Sequence, residues 1–167
     1  MNRRMLLAVL ALGGVFLSLY LTLYKLGIIG TLACGTGSCE TVQLSRWASF
    51  LGVPVAGWGV AYYIAVFTLA LVSVQERFAD SRGVALSLLL ATGWGVLFSA
   101  WLTYLELFVI HAICRWCVGS AVLAVLLFAL ALWEYRDSGL GIRDSEVPEG
   151  PPGVNPGGPV EQPRPAR

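Results

Sequence analysis

The chain has 167 residues, of which 57% are hydrophobic and only 13% charged, where a soluble domain carries roughly 25% charged residues. Eleven Lys and Arg offset ten Asp and Glu, for a net charge of +1. That balance, with no basic stripe, argues against nucleic-acid binding, and the confinement of charges to the gaps between apolar runs argues against a soluble core.

The first apolar run, about 5–26, follows a basic Asn2-Arg3-Arg4 start. It matches the roughly 20 residues that span a bilayer core. A cleaved signal peptide would have a shorter apolar region and a small-residue cleavage site, so a retained helix is expected. The loop that follows holds Cys34-Gly35-Thr36-Gly37-Ser38-Cys39. Ser38 suits the N-cap of a short helix with Cys39 at its first position. Leu44, Trp47 and Leu51 would share one face of that helix, which predicts an amphipathic segment on the membrane surface.

A second run spans 53–74, with Pro54 tolerated in its first turn. A short polar connection with Arg77 and Arg82 leads to a third run, 84–110, which carries Glu106 near its end. Cys114-Arg115-Trp116-Cys117 then opens a fourth run, 113–133. The fold class expected is an all-α integral membrane protein: a four-transmembrane-helix bundle over 1–137 with a short amphipathic helix in the first loop. Residues 138–167 are rich in Pro and Gly and poor in large apolar side chains. Such a segment buries too little surface to offset the entropy of ordering, so a disordered cytoplasmic tail is expected.

Lys and Arg counts set the orientation. Arg3, Arg4, Arg77, Arg82, Arg136, Arg143, Arg164 and Arg167 fall on one side, and Lys25, Arg46 and Arg115 on the other. The positive-inside rule therefore puts both termini in the cytoplasm and all four cysteines on the extracytoplasmic side, where disulfides persist.

The cysteines form two close pairs, C-x4-C at Cys34 and Cys39 and C-x2-C at Cys114 and Cys117. Four thiols can form a zinc site, structural staples or a redox relay. Spacing alone allows zinc, but an oxidising compartment does not favour it. A C-x-x-C bridge closes too short a loop to stabilise much. Exchange chemistry suits the inner pair better. Cys114 and Cys117 lie one turn apart, Arg115 sits between them, and a helix N-terminus favours the thiolate that performs exchange. Two pairs at one membrane face can hand electrons to each other through mixed disulfides. Val118 follows Cys117, so no haem-attachment motif is present, and no dinucleotide fingerprint appears. A membrane quinone is then the natural acceptor.

Four features together resemble the vitamin K epoxide reductase family. They are a cysteine pair after the first helix, the stretch Cys39 to Trp47 that is similar to the family's C-x5-S-R-W, Leu51-Gly52-Val53-Pro54 at the start of the second helix, and C-x-x-C at the start of the fourth. The resemblance covers about 5–135 and is to the short bacterial form. It implies a four-helix bundle around a quinone (menaquinone or ubiquinone), capped by the loop helix. It further implies that Cys34 exchanges with a thioredoxin-fold partner, Cys39 passes electrons to Cys114, and Cys117 reduces the quinone, while Ser45 belongs to the cap and helps hold the quinone. Many bacterial members carry a fused thioredoxin-like domain. None follows the bundle here, so a separate DsbA-like protein is the expected partner, in a bacterial inner membrane. Ala121 stands where the animal enzymes place a tyrosine that contacts the quinone. The DsbB type, which has a similar task, carries its C-x-x-C in the first extracytoplasmic loop, unlike this chain. The non-enzyme alternative is a membrane scaffold with structural disulfides or a zinc site made by all four cysteines. Of the remaining polar residues, His111 is expected to be solvated, and Glu106 either faces the cavity or snorkels. Trp47, Trp58, Trp101 and Trp116 are expected in an aromatic belt, and Gly93, Trp94 and Gly95 in helix packing.

Overall fold

The computed structural model describes residues 3–30, 38–78 and 81–145. Four helices are long and apolar enough to cross a membrane. They are α1 (Arg3–Lys25), α3 (Val55–Val74), α4 (Arg82–Leu105) and α5 (Arg115–Ser145), and a one-turn π-helix, Glu106–Ile110, extends α4. A short helix, α2 (Ser38–Leu44), lies between α1 and α3. The protein is an all-α multi-pass membrane bundle, as its composition predicts.

α1 packs most closely on α3 and α4 on α5, and α5 also touches α1, which closes the bundle. Small residues allow the close approaches, since lipid gives helices no hydrophobic reason to associate. A Cβ at Gly14 would collide with the Tyr63 ring, and one at Gly95 with the Tyr62 hydroxyl. Gly93 lies against Phe128 across the α4–α5 contact, as helix packing requires. Trp94 differs from its expected packing role: it is 67% exposed and points outward. Phe16, Leu90 and Leu97 are also exposed, which costs nothing against acyl chains.

Two packed clusters divide the interior. Leu7, Val66, Leu88 and Leu127 anchor the cluster in the half nearer the N-terminus of α1. Leu21, Val42, Cys39 and Cys114 form the other, at the opposite end.

The loop departs from its expected shape. Its helix ends at Leu44 rather than running on to Leu51. Ser45 takes an extended conformation (φ −64°, ψ 154°), and a 3-10 turn, Arg46–Ala48, follows. A two-stranded hairpin then forms, β1 (Ser49–Phe50) with β2 (Val53–Pro54). Leu51 (φ 54°) and Gly52 (φ 77°) make its turn. Two consecutive positive φ values are those of a type I′ turn, which matches strand twist. Pro54 sits before α3 rather than inside its first turn, and the Trp58 indole donates to the Phe50 carbonyl (3.3 Å), which fixes the hairpin on α3.

α5 is also longer than expected. It runs beyond Trp133 to Ser145, eight residues into the segment assigned to the tail. The rest of that tail, 146–167, lies outside the described residues, as does Cys34.

Candidate active site

The site lies at the end of the bundle where α1 finishes and α5 begins. Cys114 occupies the N-cap position of α5, and its carbonyl accepts the first helical hydrogen bond, from Val118 (3.0 Å). That places its thiol at the positive end of the helix dipole. Both Cys114 and Cys117 are free thiols, with Cys114 buried and Cys117 half-buried. The Cys117 thiol and the backbone N–H groups of Trp116 and Cys117 hydrogen-bond the Cys114 sulfur and hold its pKa below the usual thiol value. Burial and the Glu106 charge oppose them without reversing the direction.

Cys39 is disulfide-bonded. It lies near the N-terminus of α2, fully buried in the same packed cluster as Cys114. The loop helix thus carries a disulfide sulfur into the packing around Cys114. A disulfide sulfur is no thiolate, and among the described residues no three His, Cys, Asp or Glu side chains converge as metal ligands.

Cys117 packs against the same cluster and also borders a cavity of about 460 Å³. That volume falls within the roughly 300–1,000 Å³ of small-molecule sites. The wall is mostly apolar, from α1, α3, α4, α5 and the hairpin, with Phe50, Trp58 and Trp94 toward the exposed side of the bundle. A few polar groups interrupt it. Tyr63 reaches across from α3 to Ser120, one turn after Cys117, with 2.9 Å between the hydroxyl oxygens. Tyr62 also borders the cavity, and its buried hydroxyl has no hydrogen-bond partner among the described residues.

The chain matches the vitamin K epoxide reductase family over residues 5–132. The chain belongs to the vitamin K epoxide reductase family. Membership makes it a membrane thiol–disulfide oxidoreductase, of a family generally linked to quinones and thioredoxin-like partners.

Within this family member, the structure brings Cys39, Cys114 and Cys117 together at one end of the bundle. Ser45 stands at a smaller pocket of about 50 Å³ that Cys117, Gln43 and Glu106 also border. Its hydroxyl donates to the Val42 carbonyl (2.7 Å), so it terminates the loop helix. Trp116 leaves the expected aromatic belt: it packs against Tyr20 with ring centroids 5.3 Å apart, its indole N–H buried. Trp47, Trp58 and Trp101 stay exposed as belt residues would be. His111 is exposed, in the left-handed region (φ 54°), where it ends the π turn.

Tyr62 and Tyr63 are site residues that sequence reasoning passed over. Two adjacent tyrosines in an apolar run were the available signal. Of the two positions open to Glu106 at a helix end, facing the cavity or reaching out to the surface, the structure has the first. Glu106 is 5% exposed and its carboxylate accepts a hydrogen bond from the Cys114 N–H (3.1 Å).

Proposed function

We propose that this protein reoxidises a DsbA-like thioredoxin-fold protein and passes the electrons through two cysteine pairs to a membrane quinone, which supports disulfide formation outside the cytoplasm. The observation that carries the reading is the different exposure of the inner thiols. Cys114 is fully buried beside Cys39 and lines neither pocket, whereas Cys117, packed against the same cluster, also borders the apolar cavity. The loop pair, Cys34 and Cys39, takes electrons from the partner's dithiol by exchange. The Cys39 thiolate then attacks the Cys114 sulfur of an inner disulfide, and Cys117 leaves and takes up a proton; Cys34 next attacks Cys39, which closes the loop disulfide and releases Cys114 as a thiolate. When Cys114 and Cys117 rejoin as a disulfide, two electrons leave toward the cavity, where two protons are taken up.

The residues present fit a quinone. The wall offers apolar surface for a ring and isoprenoid chain, and the orphaned Tyr62 hydroxyl is a donor for a carbonyl oxygen. Such a group supplies, when bound, a two-electron, two-proton acceptor. Ser45 acts on the cap through the loop helix it ends. The charge bias supports cytoplasmic termini and an extracytoplasmic cysteine end, in a bacterial inner membrane.

The test is oxidation of a reduced thioredoxin-fold protein by membranes containing this chain. Oxidation should require added menaquinone or ubiquinone and should vanish in Cys117→Ala. Quinone-independent oxidation, or full activity in that variant, would sink the reading.

A further inference from the structure

Glu106 is an acidic residue inside a membrane-spanning segment, a position that disfavours a charge without a partner. It begins the π turn, and such turns redirect side chains that a regular helix would aim elsewhere. Here the carboxyl is buried between the two inner cysteines. Its Oε2 accepts from the Cys114 N–H (3.1 Å), and it also hydrogen-bonds the Cys117 thiol. It borders both the large cavity and the small pocket, each time together with Cys117.

Among the described residues no cation balances it. The ion pairs there are Arg3 with Asp137 and Arg4 with Glu134, both at the far end of the bundle. Lys25, a basic residue at the same end, donates instead to the Gln43 carbonyl. The hydrogen bond to Cys114 needs only a neutral acceptor, which a glutamine would supply. A carboxyl does something more: it can take up and release a proton. One that touches a reacting thiol on one side and a ligand-sized cavity on the other stands between proton donor and proton acceptor.

We propose that Glu106 is the proton carrier of the inner cysteine pair, a catalytic residue that takes the proton of the Cys117 thiol and delivers it into the cavity. The inference rests on the quinone reading above. In the step, the Cys114 and Cys117 sulfurs join, the Cys117 S–H bond breaks, and two electrons pass to the quinone. The Cys117 proton moves to Glu106 and from there to a quinone oxygen. The second proton comes from water, because Cys114 is released from the mixed disulfide as a thiolate and carries none. Glu106 is unchanged at the end.

The decisive experiment is redox-difference infrared spectroscopy on purified protein cycled with a small dithiol and a chemical oxidant, with neither quinone nor protein partner present. The expected result is a carboxylic-acid C=O band that changes with the redox state of the pair, disappears in Glu106→Gln and shifts in Glu106→Asp. With quinone added, Glu106→Gln should oxidise the partner protein roughly 100-fold more slowly, within the range of general acid–base catalysis, at an unchanged KM for that partner. Glu106→Asp should recover part of the rate. If the Gln variant fails to fold, the wild-type band and its shift in the Asp variant still decide. Identical difference spectra in wild type and variants, or wild-type turnover in Glu106→Gln, would overturn the proposal. Wild-type protein that shows the band but no quinone-dependent oxidation would instead overturn the quinone reading and leave the proton carrier standing.

Discussion

At the scale of single residues, the two inner thiols differ because they meet the helix at different points. Cys114 is the N-cap, so the free N–H groups of the first turn point at its sulfur, and the Cys117 thiol adds the largest contribution that lowers its pKa. Deleting that donor has a definite sign. In the reduced protein, Cys117→Ala should move the pH midpoint for alkylation of Cys114 by a small maleimide upward, and Cys117→Ser less so, because a hydroxyl still donates. An unmoved or lowered midpoint would contradict the hydrogen-bond account. The same linkage bears on stability. A thiol depressed in the folded state stabilises the reduced protein above the unfolded thiol pKa of roughly 8.5, and that contribution is lost as pH falls through the folded value. The residue pattern showed that these cysteines stand at a helix start. Their division into a loop-facing and a cavity-facing thiol depends on which way α5 turns in the bundle, and no spacing rule carries that.

At the scale of elements, the bundle was legible because apolar runs of bilayer length have few other fates, and all four helices formed within a few residues of their expected bounds, save the C-terminal end of α5. The loop was less so. A helical face through Leu44, Trp47 and Leu51 was a sound inference from spacing, yet the Ser45 hydroxyl closes α2, and Leu51 with Gly52 reverses the chain. All three apolar side chains are exposed even so, through a different backbone. The cavity was not legible either, since it lies among α1, α3, α4, α5 and the hairpin, and its Tyr62 wall depends on a pairing of a large residue with a missing side chain. Tyr62 fits only because position 95 has no Cβ. Gly95→Ala should therefore destabilise the protein by about 1–3 kcal/mol, the usual cost of overpacking. Adding Tyr62→Leu should recover much of that loss. The measurement is thermal unfolding in detergent, read as a double-mutant cycle, and strictly additive effects would show that the two positions do not meet.

At the scale of the whole molecule, the two ends of the bundle are built differently. The cysteine end is held by a loop helix, a hairpin and a π turn, all short. The opposite end is held by charge. Arg4 pairs with Glu134 of α5 and donates to the Ser73 carbonyl at the end of α3 (2.9 Å), so one side chain of α1 ties three helices together. Arg3 pairs with Asp137 alongside it, at a more exposed position where screening leaves less. Such a division would suit the relay proposed above, in which sulfurs exchange at one end while the helices stay in register. Arg4→Ala removes the cation from a largely buried Glu134 and frees the Ser73 carbonyl. Its cost should be about 2 kcal/mol, below the roughly 3–5 kcal/mol of a fully buried broken pair, since the Arg4 side chain is still 23% exposed. Arg3→Ala should cost well under half as much. Glu134→Gln placed on Arg4→Ala should restore part of the loss, because the orphaned charge goes with it. Unfolding midpoints in detergent measure all three. At temperatures where every variant stays folded, the Cys114–Cys117 pair should exchange at the wild-type rate, because nothing at the clamp touches a sulfur. Slowed exchange in a folded Arg4→Ala protein would mean instead that the charged end sets the geometry of the thiol end through the length of α1 and α5.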